Sequence, residues 1–203
     1  MNTYPKTGKN RIRQAPQRAA YDEETVHAIL DDGYVAHIAF MDEGNIAIIP
    51  IYYVRDGHQI LIHGSRKARI FRSLASGIPL ALAVTHLDAL VMARSAFHHS
   101  MNYRSVILHS HASMLGGEDK VRALDLFVER LEKGRSQKAR PTNKSEDKAT
   151  MVLAIPIENV SAKQRSGGPV DDAEDMDLPI WAGLVPFETR LGEPEQDQAD
   201  GNE

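Results

Sequence analysis

The pattern of hydrophobic and polar positions predicts a chain built mainly from β-strands. Runs rich in β-branched and aromatic residues recur at short intervals, as is typical of strands. Glycine-containing turns, Asp42-Glu43-Gly44 and Asp56-Gly57, join the first three runs at hairpin length. The predicted strands are Tyr34 to Met41, Asn45 to Val54, His58 to His63, Leu80 to His86, Ala89 to Ala96, Tyr103 to His109, Met151 to Ile157 and Glu158 to Lys163.

Three helices are expected among these strands. The first runs from Asp22 to about Leu30 and ends at Gly33, and the second follows Ser65 and stops near Ser76-Gly77. A third, amphipathic helix is predicted from Glu118 to Lys133, and the face that it turns to the barrel is expected to hold Val121, Leu124, Val128 and Leu131. Five or more consecutive antiparallel strands with one short crossing helix predict a small barrel flanked by helices.

The distribution of polar segments predicts one folded domain over residues 21–187. Residues 1–20 are basic and polar, and they are expected to form a mobile arm that is neither a signal peptide nor a membrane anchor. Residues 135–149 lack aliphatic side chains and are expected to be a mobile loop, and residues 188–203 a disordered tail. No internal repeat and no transmembrane segment are expected.

Composition excludes several classes of function. The chain has 203 residues, 42% hydrophobic residues and a net charge of −4, which argues against general nucleic-acid binding. It contains no cysteine, so disulfides, thiolate nucleophiles and cysteine-ligated metals are excluded, and a reducing cytoplasm is the expected location. Hydrolase elbows of the form Gly-x-Ser-x-Gly and dinucleotide fingerprints of the form Gly-x-Gly-x-x-Gly are absent.

The stretch from Ile60 to Arg69 has the chemistry of a phosphate site. An apolar strand leads into Gly64-Ser65 and then into a predicted helix that opens with Arg66, Lys67 and Arg69. Ser65 is expected to cap this helix, and the three cations to offer charge to a dianion. The alternative is a capped surface helix with basic side chains, although cations in a first turn oppose the helix dipole.

Three ordered motifs carry a resemblance to a known family. They are Ile62-His63-Gly64-Ser65-Arg66-Lys67, the run from His99 to Val106, and Asp171-Asp172 followed by Leu178-Pro179-Ile180-Trp181-Ala182-Gly183. Together they resemble the flavin-nucleotide-binding proteins related to pyridoxamine 5'-phosphate oxidase, over roughly Tyr21 to Phe187.

The resemblance implies an antiparallel split β-barrel that forms a homodimer, with flavin mononucleotide (FMN) held between the subunits. Ser65, Arg66 and Lys67 would grip the FMN phosphate, with His63 beside them. The remaining cofactor-binding residues that the resemblance implies are Ile48, Ile49, Pro50 and Ile51 with Tyr52 or Tyr53 along the ring, then Ser100, Asn102 and Ser105, and Trp181 with Lys163 and Arg165 as weaker candidates.

Each of these candidates also has a purely structural interpretation. The tyrosines are ordinary strand residues, and Trp181 belongs in a core or dimer interface. Asn102 and Ser105 satisfy backbone groups at a strand start, and His63 is a strand histidine. Paired histidines, His98-His99 and His109-x-His111, supply enough nitrogen for a metal, but neighbours on a strand point to opposite faces, so no metal site is expected.

The expected function is an FMN-dependent oxidoreductase that reduces a nitro- or quinone-like small molecule with electrons from NAD(P)H, without a nucleic-acid or membrane partner. Family enzymes that act on vitamin B6 resemble one another in a C-terminal Arg-x-His pair, whereas this chain has Arg190-Leu191-Gly192. The sequence therefore resembles the subgroup that includes nitroimidazole-resistance reductases. The alternatives are a non-catalytic flavin carrier or sensor, and a split-barrel protein that binds haem.

Overall fold

The computed structural model describes residues 2–197, which form ten strands and five α-helices. The strands are β1 Ala19–Ala20, β2 Val35–Asp42, β3 Asn45–Asp56, β4 Gln59–Ser65, β5 Pro79–Met92, β6 Ser100–His111, β7 Ser113–Met114, β8 Thr150–Pro156, β9 Val160–Arg165 and β10 Gly183–Pro186. The helices are α1 Glu23–Asp32, α2 Arg69–Ala75, α3 Gly117–Leu131, α4 Arg135–Lys138 and α5 Lys144–Ala149.

The chain contains two compact units, and the expected domain bounds of 21–187 stay a prediction. Unit 1 contains residues up to His86 together with Tyr103–Ser166, and unit 2 contains Leu87–Asn102 and the residues from Gly167 onward. The strand order is β1-β9-β6-β5-β2-β3-β4-β8-β7, and β10 pairs with the unit 2 half of β5. The fold is the expected split β-barrel, mostly antiparallel with few flanking helices.

Strands β2 and β3 pair closely because a two-residue turn joins them. Asp42 pairs with Asn45, and the turn residues Glu43 and Gly44 both have positive φ, at 49° and 82°. This is the backbone that tight hairpins require. The pairing places alternate side chains of both strands on one face of the sheet, which is buried, and the others on the opposite face, which is exposed.

Two sequence predictions about element boundaries and faces were wrong. Strand β5 runs unbroken through Asp88, because backbone pairing with β10 continues the ladder there. The buried face of α3 holds Lys120, Ala123 and Phe127, whereas Val121 is 57% exposed. The ammonium of Lys120 can be buried because it lies 2.6 Å from a carboxylate oxygen of Asp147.

Segments expected to lack structure contain ordered elements. The polar stretch 135–149 forms α4 and α5, and α5 begins with a capping box in which Asn143 and Glu146 bond each other's backbone amides. Tyr4 and Asn10, within the expected N-terminal arm, are buried in unit 1. Residues 188–197 have no helix or strand, and the rest of the predicted tail, 198–203, lies outside the described residues.

Helices of the described residues 2–197 are all too short or too polar to cross a membrane.

Candidate functional site

The Ser65–Lys67 turn lies in unit 1, where β4 ends and the chain turns toward α2. Its backbone is tightly held, because the Arg66 amide donates to the Ala149 carbonyl at 2.8 Å and the Ala68 amide donates to the Ser65 carbonyl at 2.9 Å. The Ser65 hydroxyl oxygen accepts from the Lys67 amide at 3.2 Å. Strand β8 fixes the turn from one side, since Ser65 pairs with Thr150.

Ser65 does not cap the helix as predicted. Helix α2 begins at Arg69, its N-cap is Ala68, and no side chain caps it. The difference arises because Ser65 lies three residues before the N-cap position, and its hydroxyl oxygen accepts from the Lys67 amide instead. Arg66 and Lys67 therefore belong to the turn, and only Arg69 lies in the first helical turn.

Gly64 allows α2 to pack close to the end of β4. A β-carbon at this position would lie 2.4 Å from Cε2 of Phe71, well inside van der Waals contact. Phe71 is buried in the core of unit 1, so its ring cannot move away freely. Glycine at position 64 is thus a packing requirement, and it sets the direction in which the turn leaves the strand.

Two of the three predicted cations are available to an anion. Arg66 and Lys67 are exposed, and within the described residues neither side chain has a carboxylate partner. The only contact of the Arg66 guanidinium there is with the Met114 sulfur, at 4.0 Å. Arg69 differs, because its guanidinium lies 3.3 Å from a carboxylate oxygen of Asp42. Two unpaired cations on a rigid turn form a donor set that suits a phosphate.

A cavity of about 770 Å³ in unit 1 adjoins the turn. Arg66 lies on its wall, and the other lining residues come from the end of β7, the first turns of α3, and the chain before β8: Met114, Leu115, Gly116, Gly117, Glu118, Lys120, Val121, Arg122, Asp125 and Asp147. The cations of Lys120 and Arg122 are already paired, with Asp147 and Asp56. Arg66 is therefore the cation of this wall that remains for a ligand.

An aromatic cluster lies next to this turn. The rings of His63 and Phe127 have centroids 4.2 Å apart, and those of Tyr52 and Phe127 are 5.5 Å apart. The Tyr52 hydroxyl donates to the Phe127 carbonyl at 3.0 Å. Burial lowers the pKa of His63, whose Nδ1 is buried without a hydrogen-bond partner, so its ring is neutral at neutral pH.

Tyr53, the alternative to Tyr52 along the flavin ring, points the other way. It is buried in the core, and its hydroxyl donates to the Leu30 carbonyl at 2.5 Å. Burial raises the pKa of Tyr53 above its ordinary value. Because neighbours on a strand face opposite ways, Tyr52 is the tyrosine on the same side of β3 as Ile48 and Pro50.

The four residues expected to run along the flavin alternate on β3. Ile48 and Pro50 are exposed on the outer face, whereas Ile49 and Ile51 are half-buried and pack against the core. Their backbone pairs with β2 through register partners such as Ile48 with Ala39 and Pro50 with His37.

Among the other predicted residues, Ser105 and Asn102 bond backbone carbonyls of their own units, whereas Ser100 and Trp181 are exposed. In unit 1, the Ser105 hydroxyl donates to the Lys163 carbonyl at 3.1 Å. In unit 2, Asn102 is buried and its amide nitrogen donates to the Gly167 carbonyl at 3.0 Å, while Ser100 is exposed. Trp181 is 64% exposed and lies beside Gly183, so it is not in the core of this chain, and its place at a dimer interface stays a prediction.

Sequence reasoning missed Phe127 and the cavity. Phe127 was hidden because the predicted face of α3 omitted it, although its spacing of four residues from Ala123 was an available signal. The cavity brings Arg66 next to residues that lie 48 or more positions further along the chain, for which the sequence holds no local signal. Within residues 2–197, no three histidine, aspartate or glutamate side chains come together in a way that would hold a metal ion.

The family model described as pyridoxamine 5'-phosphate oxidase matches residues 22–164. No curated protein matches the chain. Among solved structures, the chain is similar to the flavocytochrome Anf3 from Azotobacter vinelandii, with 35% identity over 96% of this chain and 91% of that one and a TM-score of 0.90.

Two further structures extend this comparison. The FAD and haem binding protein from Mycobacterium smegmatis is 33% identical over 91% of both chains, with a TM-score of 0.86. A structure described as a 5-nitroimidazole antibiotic resistance protein from Bacteroides thetaiotaomicron is 14% identical over 71% of this chain and 85% of that one, with a TM-score of 0.61. At that identity, the last similarity shows the fold alone.

Proposed function

The chain belongs to the flavin-binding family described as pyridoxamine 5'-phosphate oxidase, and from this premise we propose that it is a redox protein whose flavin phosphate binds at the Ser65–Lys67 turn. The observation that carries the proposal is the pair of exposed cations, Arg66 and Lys67, which have no carboxylate partner among the described residues. A guanidinium fork and an ammonium on a rigid turn are well suited to a phosphate dianion.

The flavin that we propose is FAD, where the sequence alone suggested FMN. The Mycobacterium smegmatis relative binds FAD and haem, and it is 33% identical over most of both chains. The cavity of about 770 Å³ that Arg66 lines also has room for the adenylate half of a dinucleotide. FMN would leave that cavity unused, so we expect FAD to bind more tightly than FMN.

A second copy of the chain is proposed to cover the exposed face of β2 and β3. This face carries Val35, Met41, Ile46 and Ile48, and the last two are 76% and 64% exposed. Apolar side chains concentrated on one sheet face are typical of interaction surfaces. The resemblance to homodimeric flavoproteins favours a second copy as the occupant, which would place Ile48 and Pro50 at the interface.

The chemistry proposed for the bound flavin is transfer of electrons from NAD(P)H to a small nitro- or quinone-like acceptor. The residues of the chain would hold the phosphate at Arg66 and Lys67 and present the neutral ring of His63 beside it. A protein that binds flavin but does not oxidise NAD(P)H would instead be a carrier or sensor.

Haem binding is the second candidate, because two of the similar structures, at 35% and 33% identity, are named as a flavocytochrome and as a FAD and haem binding protein. The chain offers imidazole nitrogens that suit iron. Nδ1 of His99 lies 3.0 Å from the Ser95 carbonyl oxygen, which can only accept, so Nδ1 is the donor in this contact and Nε2 is the ring nitrogen that would bind iron. His37 is exposed among the apolar residues of the β2 and β3 face.

Absorption spectroscopy of the natively purified protein tests these proposals. A flavin spectrum with FAD released on denaturation is the expected result, and a Soret band that is lost in His99→Ala or His37→Ala would assign the haem ligand. Bleaching of the flavin by NAD(P)H would support a catalytic role over that of a flavin carrier or sensor. Protein without chromophore that binds neither FAD nor FMN would overturn the flavin proposal.

A further inference from the structure

A second cavity, of about 500 Å³, lies within the N-terminal segment of unit 1. Its walls come only from residues between Lys6 and Tyr21, and none of them belongs to the flavin turn. Lys6, Arg11 and Arg13 line it, and the remaining wall is uncharged: Thr7, Gly8, Ile12, Pro16, Ala19 and Tyr21. Three cations without an acidic residue therefore face one cavity in a chain of net charge −4.

A buried asparagine anchors the segment that forms this cavity. Asn10 is 4% exposed, and its amide nitrogen donates to the Pro5 carbonyl at 2.9 Å and to the Val160 carbonyl at 3.0 Å. Its amide oxygen accepts from the Thr7 amide at 2.7 Å. Strand β9, which holds Val160, thus fixes the loop that carries the cations.

The aromatic wall is anchored in the same way. The Tyr21 hydroxyl oxygen accepts from the Ile12 amide at 3.0 Å, and β1 next to it pairs with β9. The ammonium of Lys6 lies 4.8 Å from the centre of the Tyr21 ring, a cation–π distance. The backbone that presents the cations is therefore ordered before any ligand arrives, which lowers the entropic cost of binding.

None of the three cations has an anionic partner among residues 2–197. The side chains of Lys6, Arg11 and Arg13 make no hydrogen bond or ion pair with those residues, and the Lys6 ammonium lies over the Tyr21 ring. Like charges that line one cavity repel each other, and an anion between them removes that repulsion. The cavity therefore has the electrostatics of an anion site.

We propose that this cavity binds a phosphorylated small molecule of about mononucleotide size. Guanidinium groups bind phosphate oxygens in pairs, so Arg11 and Arg13 would hold the phosphate. The apolar surfaces of Ile12, Pro16 and the Tyr21 ring would contact the organic part. A volume of about 500 Å³ lies within the range of small-molecule sites.

Isothermal titration calorimetry on the purified full-length protein tests the proposal, with adenosine 5'-monophosphate as the probe. The expected result is saturable binding at low ionic strength, with adenosine and inorganic phosphate each bound at least about tenfold more weakly. Added salt should weaken binding, because exposed cations are screened. Adenosine or inorganic phosphate binding as tightly as the nucleotide, or no saturable binding of the nucleotide, would overturn the proposal.

Charge-matched variants locate the site. Arg11→Gln with Arg13→Gln should weaken binding at least about tenfold, whereas Arg72→Gln with Lys133→Gln, which removes the same charge elsewhere, should leave it within about twofold. Equal weakening in both double variants would overturn the assignment.

Bound flavin separates this proposal from the function proposed above. The flavin content of the Arg11 and Arg13 variant should remain that of the wild-type protein, since the cavity and the Ser65–Lys67 turn share no residue. Loss of flavin from this variant would show that the cavity is part of the flavin site, and it would overturn the proposal of a separate ligand site.

Discussion

Removal of both cations, Arg66 and Lys67, from the Ser65–Lys67 turn should weaken flavin binding by roughly a hundredfold. Charge-assisted hydrogen bonds contribute about 1.5–3 kcal/mol each, and the exposure of Arg66 and Lys67 places them at the lower end. Their combined loss is about 3 kcal/mol, and about 1.4 kcal/mol corresponds to tenfold in affinity. The fold should be unaffected, since Arg66 contacts only Met114 and Lys67 makes no side-chain bond among the described residues.

Titration of apoprotein with FAD and with FMN, followed by quenching of flavin fluorescence, measures this loss in Arg66→Ala with Lys67→Ala. The matched control is Arg72→Ala with Lys133→Ala, which leaves the same net charge but keeps the turn. Flavin affinity within twofold of the wild type in the turn variant would refute the phosphate site. An equal loss in the control would show that long-range charge, and not the turn, attracts the flavin.

Three other predictions concern packing, pH and assembly. Gly64→Ala should lower the free energy of unfolding by about 1–3 kcal/mol, because the added methyl group clashes with Phe71. The control Gly8→Ala, whose methyl group would meet no atom within 4 Å, should lower it by less than about 0.5 kcal/mol. Equal denaturant midpoints for the two variants would contradict this prediction. Because burial depresses the pKa of His63 below 6.5, the unfolded chain binds more protons below that pH, so stability should fall with acidification. Urea unfolding near neutrality and at about pH 5 should show that His63→Gln loses less unfolding free energy on acidification than the wild type does. The same loss in both proteins would show that His63 is not the group responsible. Ile48→Lys should convert the proposed dimer to a monomer, as measured by size-exclusion chromatography with light scattering. A wild-type protein that is itself monomeric would contradict the proposed dimer.

Local signals in the sequence were sufficient for most of the longer strands and for the β2–β3 hairpin. The turn at Glu43 and Gly44 and the alternation along β3 depend on neighbours within a few residues, so composition and spacing reveal them. The basic turn after β4 is also continuous in sequence. Its motif, with two others in order, was enough to identify the split-barrel family.

Features that depend on distant partners were not accessible in this way. Strand β5 continues through Asp88 because its second half pairs with β10, about 95 residues further along the chain. The amphipathic pattern of α3 predicted the wrong face, since burial of Lys120 requires the carboxylate of Asp147. Local pattern alone cannot supply either partner.

Most of the longer strands, the β2–β3 turn, the basic turn after β4 and the family follow from the sequence alone, because each is carried by residues adjacent in the chain or by the order of motifs. The folded arrangement was needed to show that Arg66 and Lys67 have no carboxylate partner among residues 2–197, whereas Arg69 pairs with Asp42. It also showed that Asn10 fixes the N-terminal cavity through Val160, 150 residues away. Availability of a charge and closure of a cavity depend on which distant groups fold against them, and that information is not local.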